Sequence, residues 1–486
     1  MVSLSPTLIK QFRQLLGDAN VIADPALLRV YECDALAAYT QLPDLVVLPD
    51  SVEQVPALLR LCHAHQIPVV ARGAGTGLSG GALPVPGGIV LGLAKLNRIL
   101  GVDPINRTAT VQAGVRNLAI SEAARPHGLY YPPDPSSQIA CSIGGNIAEN
   151  AGGVHCLKYG LTVHNVLQIK LATITGELLT LGGSGLDGAG YDLLALAIGS
   201  EGLLGVVVEA TLRLLPTPPR VQVLLAAFAT IEQAGAAVAD IIGAGLIPAG
   251  LELMDNAAIR ATEAFVHAGY PVEAAAILLC ELDGQPEQVD ADLTRAEALL
   301  RAAGASEIRL AADAVQRQRF WAGRKAAFPA VGRIASDYYC MDGTIPRRHL
   351  AAVLAEIATL AERYGLSVVN VFHAGDGNLH PLILYDAGRP GDFDKAEALG
   401  GDILELCVRV GGTITGEHGV GHEKLPQMCV QFQAAELEQF HALKQAFDPN
   451  GLLNPGKAVP TLHRCAELGK MHVHGGRLPH PELERF

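Results

Sequence analysis

The sequence lacks the features of several large protein classes. Charged residues make up only 17% of its 486 residues and the formal net charge is −13, so no basic surface for nucleic-acid phosphates is expected. No run of eighteen or more apolar residues is free of charge, glycine and proline, which argues against a transmembrane helix. No two of the nine cysteines are spaced as C-x-x-C, and neither a zinc ribbon nor an iron–sulfur cluster is therefore expected within the chain.

The length and composition indicate a globular protein of more than one domain. Hydrophobic residues make up 49% of the chain, and this length favours two or three domains over one. The first residues, MVSLSPTLIKQFRQLLGD, predict an amphipathic helix. They lack the apolar core and the cleavage site of a secretory signal. We therefore expect a cytoplasmic protein, and peripheral attachment to the inner face of the cell membrane through a partner stays open.

The chain is expected to divide into two units that mix helices and strands. In the first unit, the runs DLVVLP and IPVVARGAG flank a helical stretch, and β-branched runs such as NVLQIKLAT and GVVVEATLRLL follow as strands. The proline-rich stretch LLPTPPR, at residues 214–220, indicates a boundary. After it, Ala-rich helices alternate with strands such as AAAILLCEL and SVVNVFH, which favours an α+β unit around an antiparallel sheet.

A glycine-rich stretch at residues 68–88, PVVARGAGTGLSGGALPVPGG, contains Gly75-x-Gly77-x-x-Gly80. This spacing occurs in dinucleotide-binding Rossmann units, where a helix must begin inside it. The prolines and glycines of residues 81–88 exclude such a helix, and no carboxylate follows about twenty residues later, so a nicotinamide-dependent dehydrogenase is disfavoured. The backbone N–H groups of the loop can instead surround a phosphate, although an ordinary glycine-rich turn is the alternative.

Two further glycine-rich stretches follow, YYPPDPSSQIACSIGGNIAENAGGVHCLKYG at residues 130–160 and GYDLLALAIGSEGLLGVVVEATLRL at residues 190–214. The three stretches resemble the FAD-binding domain of the vanillyl-alcohol-oxidase-type flavoproteins over Arg72–Gly81, Pro132–Gly160 and Gly199–Gly205. Three later motifs, FWAGRKAAFPAVGRIASDYYCMDGTIPRRHL, NVFHAGDGNLHPLI and TGEHGVG, resemble the D-2-hydroxyacid dehydrogenase group of that superfamily, and within it the D subunits of bacterial glycolate oxidases. The resemblance spans the entire chain.

The resemblance implies an α+β fold class with three parts. They are a two-part FAD-binding domain of the vanillyl-alcohol-oxidase type at residues 1–218, an α+β cap domain with an antiparallel sheet and the metal site at residues 219–445, and a C-terminal segment at residues 446–486 that returns to the flavin domain. No histidine stands where covalent members attach their flavin, so FAD is expected to bind without a covalent bond. The residues expected at the pyrophosphate, the ring and ribityl chain, the adenosine and the C-terminal return are Arg72, Gly73, Ala74, Gly75, Thr76, Gly77, Pro133, Asp134, Ser137, Gly144, Gly145, Asn146, Asn150, Gly205, Val206 and Asn454.

Two histidines and a glutamate suggest a metal site. His373 ends an apolar strand and His380 begins another, with a tight turn between them, and Glu417 lies in the glycine-rich TITGEHGVGHEK. Two imidazoles and a carboxylate suit Zn²⁺, Mn²⁺ or Fe²⁺ with open positions for a substrate. The alternative is that each histidine only caps or packs at a strand end. The resemblance matches these three residues to the metal ligands of the family one for one, and matches His418 to its catalytic base.

Arg324, in WAGRKAAF, is the candidate clamp for a substrate carboxylate, because a guanidinium can donate two parallel hydrogen bonds. A solvated arginine on a helix is the alternative. These groups predict that a 2-hydroxy acid binds the metal, that His418 takes the hydroxyl proton, and that hydride passes to flavin N5. The residues that read a distal carboxylate in D-2-hydroxyglutarate members correspond here to Phe328, Cys340 and Leu382. Small monocarboxylates, glycolate first and D-lactate next, are therefore the expected substrates.

The resemblance also implies the partners of the chain. Glycolate oxidase D subunits work with a second flavin-domain subunit and an iron–sulfur subunit, and pass electrons toward the membrane quinone pool. We expect the same complex here, with membrane contact only through the partners. A self-sufficient D-lactate dehydrogenase is a close alternative. A non-catalytic flavin-binding subunit is disfavoured, because the three expected metal ligands and the arginine are all present.

Overall fold

The computed structural model describes residues 4–185 and 188–460. A small four-stranded sheet lies near the start of the chain, and only its first pair of strands is antiparallel. The strands of this first sheet lie in the order Val21–Ile22, Leu45–Val47, Ile89–Gly92 and Val69–Arg72. Its last three strands are parallel to one another. Leu45, Val46 and Val47 are all fully buried, as a parallel strand with both faces covered requires.

A second, antiparallel sheet completes the first half of the chain. Its strands lie in the order Ile99–Asp103, Thr108–Gln112, Val206–Arg213, Val166–Ala172 and Leu178–Gly182. The strands predicted from NVLQIKLAT and GVVVEATLRLL are neighbours in this sheet. A two-stranded ribbon of Leu129–Tyr130 and Leu215–Pro216 lies near the predicted boundary. Residues 73–88 contain no helix, as the prolines and glycines predicted.

The second half is built on a seven-stranded sheet. Its strands lie in the order Glu307–Leu310, Arg220–Phe228, Ala276–Gly284, Gly250–Asp255, Ser367–His373, Pro381–Tyr385 and Asp337–Cys340. Every pairing in it is antiparallel, which confirms the antiparallel sheet expected after residue 220. Helices pack on both of its faces. The register places Glu252 opposite His373 and Cys340 opposite Leu382.

The α-helices connect and cover these sheets. Their bounds are Pro6–Leu16, Pro25–Leu28, Gln54–Ala64, Asn117–Ala124, Ile143–Glu149, Cys156–Tyr159, Thr162–Asn165, Leu193–Ala197, Ile231–Gly243, Asn256–Val266, Pro286–Ala302, Ala314–Lys325, Ala327–Val331, Leu350–Tyr364, Asp392–Arg409, Leu425–Gln431 and Ala434–Phe447. The amphipathic helix predicted at the start is confirmed: the Ser5 side chain caps it, and Leu8, Phe12 and Leu16 are buried. Across the described ranges, every helix is too short or too polar to span a bilayer.

The end of the described chain lies against the first sheet. The backbone N–H of Val69 donates to the Leu452 carbonyl at 2.8 Å, and the N–H of Asn454 donates to the Val69 carbonyl at 2.8 Å. These bonds extend the parallel sheet by a short bridge. Residues 461–486 of the predicted C-terminal segment lie outside the described residues.

Candidate active site

The glycine-rich stretches and part of the histidine cluster line one cavity of about 380 Å³. This volume is within the range of small-molecule sites. The first half of the chain contributes residues that include 71–78 and parts of 135–151 and 197–207. The second half contributes residues 324–325, 328–329, 380 and 417–418. The cavity therefore lies between the two halves.

The loop at residues 73–77 presents free backbone donors to this cavity. None of its N–H groups donates a hydrogen bond to another described residue. Gly75 takes a φ of +73°, which glycine adopts without strain, and a Cβ on Gly73 would lie 2.1 Å from the Ser142 Oγ. Successive free N–H groups in such a loop can turn toward one anion, so the residues present fit the pyrophosphate of a dinucleotide cofactor.

Most of the residues expected at the cofactor line the cavity. They are Arg72, Gly73, Ala74, Gly75, Thr76, Gly77, Ser137, Gly144, Gly145, Asn146, Gly205 and Val206. Helix Ile143–Glu149 brings its first turn to the wall, where the Ser142 side chain caps it. A Cβ on Gly144 would lie 2.9 Å from the Ala113 carbonyl oxygen, so a larger residue there would push this turn out of place.

The other four expected cofactor residues lie outside the cavity lining: Pro133, Asp134, Asn150 and Asn454. The Asn150 side chain accepts the N–H of Val163 at 2.9 Å. The Asn454 side chain is buried and donates to the carbonyls of Gly81 and Glu201 at 3.0 and 2.8 Å. These contacts stabilise segments that form the wall. A direct contact of the four with a cofactor stays a prediction.

Asp134 belongs to a partly buried bridge between the two halves. His155 lies between two carboxylates, with Nδ1 3.0 Å from Asp134 and Nε2 2.9 Å from Glu281. The Trp321 indole donates to the other oxygen of Glu281 at 2.5 Å. Burial lowers the pKa of His155, but the two carboxylates outweigh it and raise the pKa well above its ordinary value. Trp321 precedes Arg324 by one helical turn, so the bridge connects a cavity loop to the helix that carries Arg324.

The two predicted imidazoles converge on the predicted glutamate. His373 is the last residue of its strand, and its N–H donates to the Asn378 carbonyl, which closes the turn before His380. The ring centroids lie 5.2 Å apart. The Nε2 atoms of His373 and His380 lie 3.3 and 3.0 Å from Glu417 Oε1. Burial would raise the pKa of Glu417, but the imidazoles hold it well below its ordinary value, so the carboxylate is ionised.

The donor set fits a divalent ion. One ligand atom from each of His373, His380 and Glu417 lies within 4.8 Å of the others, and all three residues are largely buried. Ionised carboxylate and imidazole nitrogen are ligands of zinc, manganese and iron. Each histidine thus contacts Glu417 in addition to packing at its own strand end, and binding of a metal ion stays a prediction.

Glu252 connects His373 to Arg324. Alternate residues of a strand face opposite sides of a sheet, and Met254 and Val371 pack toward the helix Ala314–Lys325. Glu252 lies two residues from Met254 on one strand, and His373 lies two residues from Val371 on the other. Both side chains therefore face the same helix. Glu252 accepts from Arg324 Nε at 2.7 Å and contacts His373 Nδ1 at 2.8 Å. A carboxylate on the second ring nitrogen fixes the orientation of a metal-binding histidine.

Arg324 is buried at 1% exposure, which excludes the solvated arginine considered above. Its Nη2 lies 2.7 Å from Glu252 Oε2, yet without hydrogen-bond geometry, so this buried atom has no hydrogen-bond partner among the described residues. Arg324 also lines the cavity. One edge of the guanidinium is thus held by Glu252, and a donor remains for a ligand.

Asp342 holds the loop that carries Glu417 and His418. The backbone N–H groups of Gly416, Glu417 and His418 all donate to its carboxylate, at 2.8 to 3.3 Å. Lys424 Nζ lies 3.2 Å from the same carboxylate, and both side chains are fully buried. Because an ionised carboxylate binds several N–H groups more strongly than a neutral acceptor does, Asp342 fixes the direction of the two functional side chains.

His418 is neutral at pH 7. Burial lowers its pKa to about 4, since burial disfavours the charged imidazolium. Its ring stacks on that of His380, with centroids 4.9 Å apart and planes 12° apart. The Nε2 atom lies 3.9 Å from Glu417 Oε1. A neutral imidazole beside His380 and Glu417 is able to accept a proton.

The three positions expected to exclude a second substrate carboxylate are apolar and close to the cluster. Phe328 lines the cavity, with its ring centroid 6.3 Å from that of His380. Cys340 and Leu382 are buried neighbours on paired strands. The Cys340 thiol also lies within 4.8 Å of ligand nitrogens of His380 and His418.

Glu252 and Asp342 were not predicted from the sequence, although both orient predicted site residues. Glu252 stands in the apolar strand GLELMD, and Asp342 follows the strand DYYC. A charge within an apolar strand is a usable signal, because a buried charge requires a partner. The signal does not say which partner, since Arg324 lies 72 residues after Glu252.

Each half of the chain matches a known protein family. A family model described as "FAD binding domain" matches residues 43–182, and one described as "FAD linked oxidases, C-terminal domain" matches residues 217–458. The chain is 65% identical over 456 residues to "Glycolate oxidase subunit GlcD" of Escherichia coli (strain K12), which covers 94% of this chain and 91% of the relative. The chain belongs to the GlcD family of FAD-linked oxidoreductases. This membership confirms the predicted resemblance, the FAD cofactor and the enzyme class.

Further relatives of this GlcD family member include the Bacillus subtilis (strain 168) GlcD, 39% identical over 92% of this chain and 96% of the relative. The D-lactate dehydrogenase of Anaerostipes hadrus is 33% identical over 93% and 97%. Among solved structures, p-cresol methylhydroxylase with substrate bound aligns with a TM-score of 0.80 at 19% identity, over 94% of this chain and 97% of the other. The 4-ethylphenol oxidase of Gulosibacter chungangensis aligns with a TM-score of 0.80 at 18% identity, over 95% and 99%. These two structures show the fold alone, and they confirm the two-domain vanillyl-alcohol-oxidase type.

Proposed function

We propose that this chain oxidises a small D-2-hydroxy acid, glycolate first, to the 2-oxo acid and passes the electrons to partner subunits. One observation carries the proposal: Arg324, His380, Glu417 and His418 converge on the cavity that the free N–H groups of residues 73–77 also line. The oxidation needs a carboxylate clamp, a Lewis acid and a base beside the cofactor. These residues offer the clamp, the base and ligands that would hold a Lewis-acidic metal ion.

Bound FAD would supply the acceptor for the α-hydrogen and its two electrons. Residues 73–77 would hold the pyrophosphate through backbone N–H groups, and Gly144, Gly145 and Asn146 would border the ring. The loop Arg72–Gly81 has no histidine, which supports binding without a covalent bond.

A divalent ion, zinc, manganese or iron, would be held by His373, His380 and Glu417, and would supply the Lewis acid that lowers the pKa of a substrate hydroxyl. The donor set supports this assignment, because one ligand atom from each of the three residues lies within 4.8 Å of the others. The contact of His373 Nδ1 with Glu252 supports it further, since it leaves Nε2 directed at the cluster.

Arg324 and His418 are the catalytic residues of the proposal. Arg324 has a buried Nη2 donor without a hydrogen-bond partner among the described residues, and it would bind the substrate carboxylate. His418 would accept the hydroxyl proton at Nε2, which faces Glu417. Its pKa of about 4 keeps the imidazole neutral before substrate binds, so one of its ring nitrogens can accept a proton.

The substrate is expected to carry a single carboxylate. Phe328, Cys340 and Leu382 offer no cation to a second one, and an unpaired carboxylate buried beside them would cost several kcal/mol. Steady-state rates with glycolate, D-lactate and 2-hydroxyglutarate test this directly. Comparable activity on 2-hydroxyglutarate would contradict the assignment of these three positions.

The absorbance of the purified chain with FAD, read anaerobically before and after glycolate is added, tests the reaction. We expect the flavin band to bleach. Arg324→Lys retains a charge for Glu252 but loses the planar fork, and should slow bleaching by roughly a hundredfold. Arg319→Ala, an exposed position of the same helix, is the control and should leave the rate unchanged. A spectrum that glycolate does not change would reject the proposal.

The electron acceptor is proposed to be a partner complex, with a second flavin-domain subunit and an iron–sulfur subunit. The absence of C-x-x-C spacing in the chain supports an external acceptor. The similarity to a D-lactate dehydrogenase keeps a self-sufficient enzyme as the second candidate. The isolated chain should reduce an artificial dye and react slowly with oxygen. Rapid peroxide formation would contradict the partner-dependent form.

A further inference from the structure

Glu149 is an unpaired carboxyl group on the wall of the cofactor cavity. It is the last residue of helix Ile143–Glu149, and it lines the same cavity as the loop at residues 73–77. Its Oε2 atom is buried and has no hydrogen-bond partner within the described residues. Nothing in the proposed reaction uses this side chain.

The carboxyl group of Glu149 is tightly packed against two glycines. A Cβ on Gly81 would lie 2.7 Å from Glu149 Oε1, and a Cβ on Gly419 would lie 2.0 Å from Oε2. Gly419 also takes a φ of +84°. Because two loops have glycine where the carboxyl group approaches, the side chain is enclosed rather than free to turn into solvent.

A second acidic residue, Glu201, lies next to Glu149 and differs from it in its hydrogen-bond partners. The two oxygens of Glu201 accept the N–H groups of Val420 and Gly421 at 2.7 and 2.6 Å. The point that a Gly419 Cβ would take lies 3.1 Å from Glu201 Oε1, so at most about 5 Å separates this oxygen from Glu149 Oε2. The two backbone donors lower the pKa of Glu201 against the stronger, raising effect of its burial, whereas Oε2 of Glu149 has no hydrogen-bond partner among the described residues.

The nearby cations do not neutralise Glu149. Lys457 Nζ donates to the carbonyls of Gly81 and Leu83 and to the Asn454 side chain. Lys424 Nζ is held by Asp342 and the Gly419 carbonyl.

An ionised Glu149 would thus be a buried charge beside another carboxylate, which is costly. Burial, then Glu201 and Asp34, raise the pKa of Glu149 well above its ordinary value, against the smaller opposing effect of Lys424 and Lys457.

We propose that Glu149 is a neutral carboxylic acid that donates a hydrogen bond to an acceptor atom of the bound FAD. The inference rests on FAD occupying this cavity, as proposed above. The bound cofactor would supply the partner that the carboxyl group lacks within the protein, and FAD offers carbonyl oxygens and ring nitrogens as acceptors. Glu149 is then a cofactor-binding residue additional to those expected from the sequence.

The test compares Glu149→Gln with Glu149→Leu, by FAD titration and by thermal unfolding of the cofactor-free chain. Glutamine keeps a donor of similar shape and should bind FAD within about threefold of the wild type, whereas leucine should weaken FAD binding by about tenfold. The cofactor-free Glu149→Leu chain should melt at the wild-type temperature or above, because it loses only an unsatisfied polar group. Glu201→Gln is the matched contrast and should melt lower, since its charge is bound by two N–H groups.

Three results would overturn the inference. Wild-type FAD affinity in Glu149→Leu would show that no bond to FAD exists. Equal weakening in Glu149→Gln and Glu149→Leu would show that an ionised carboxylate is required. A lower melting temperature of cofactor-free Glu149→Leu would show a purely structural role. A wild-type chain that binds no FAD would instead overturn the proposed function itself, so the two failures are distinguishable.

Discussion

Replacing Glu252 with alanine should test how the proposed metal ligands and the proposed carboxylate clamp depend on each other. Glu252 is 1% exposed and contacts Arg324 and His373 at 2.7 and 2.8 Å. Its removal leaves the buried guanidinium of Arg324 without its anion. Breaking such a buried pair costs about 3–5 kcal/mol, because the remaining charge stays in a low-dielectric interior.

The chain offers a matched control in Glu297. This residue pairs with Arg301 at 2.6 Å, and the side-chain exposures of Arg301 and Glu297 are 64% and 45%, against 2% and 1% for Arg324 and Glu252. The two ion pairs have nearly equal N–O distances, 2.6 and 2.7 Å, and differ in burial. A difference in stability between the two alanine variants therefore reports the effect of burial. An exposed pair of this kind contributes about 0.5 kcal/mol or less, so Glu297→Ala should change the free energy of unfolding very little.

The measurement is urea unfolding of the cofactor-free chain with Glu252→Ala, Arg324→Met and both changes together. The double variant should be more stable than Glu252→Ala, because no unpaired charge remains. Zinc titration of the folded chain should show about 10–100-fold weaker binding in Glu252→Ala, since His373 loses the carboxylate that orients its ring. A loss of stability no larger than that of Glu297→Ala would refute the reasoning.

Two further predictions concern buried carboxyl groups near the cluster. Asp342→Asn removes the charge that binds three loop N–H groups and Lys424, and should lower the free energy of unfolding by about 3 kcal/mol; wild-type stability in urea would contradict the role of Asp342. Burial raises the pKa of Glu423 to about 7, in surroundings that include Lys424, Tyr339 and Asp342. The folded chain therefore binds this proton more tightly than the unfolded chain, and stability should fall by about 3 kcal/mol as pH rises from about 4 to about 7. Glu423→Gln should reduce that slope in urea titrations at several pH values, and an unchanged slope would argue against it.

The sequence by itself determined the features that depend on local backbone chemistry. The prolines and glycines of residues 81–88 excluded a Rossmann helix whatever the rest of the chain does, because neither residue type sustains one. The tight turn between His373 and His380 likewise brought two imidazoles together, because a short turn keeps the two residues that flank it close in space. The order of the motifs was enough to predict the family and its cofactor.

Only the tertiary structure decided how the charges of the site are satisfied. Glu252 meets Arg324 and His373, and Asp342 meets the loop at residues 416–418, across 72 to 121 residues of chain. Such pairs form because a buried charge must find a partner through space, and strand register and packing choose that partner rather than any local pattern. For the same reason the protein contacts of Asp134 and Asn454, both expected at the cofactor, became visible only in the folded chain.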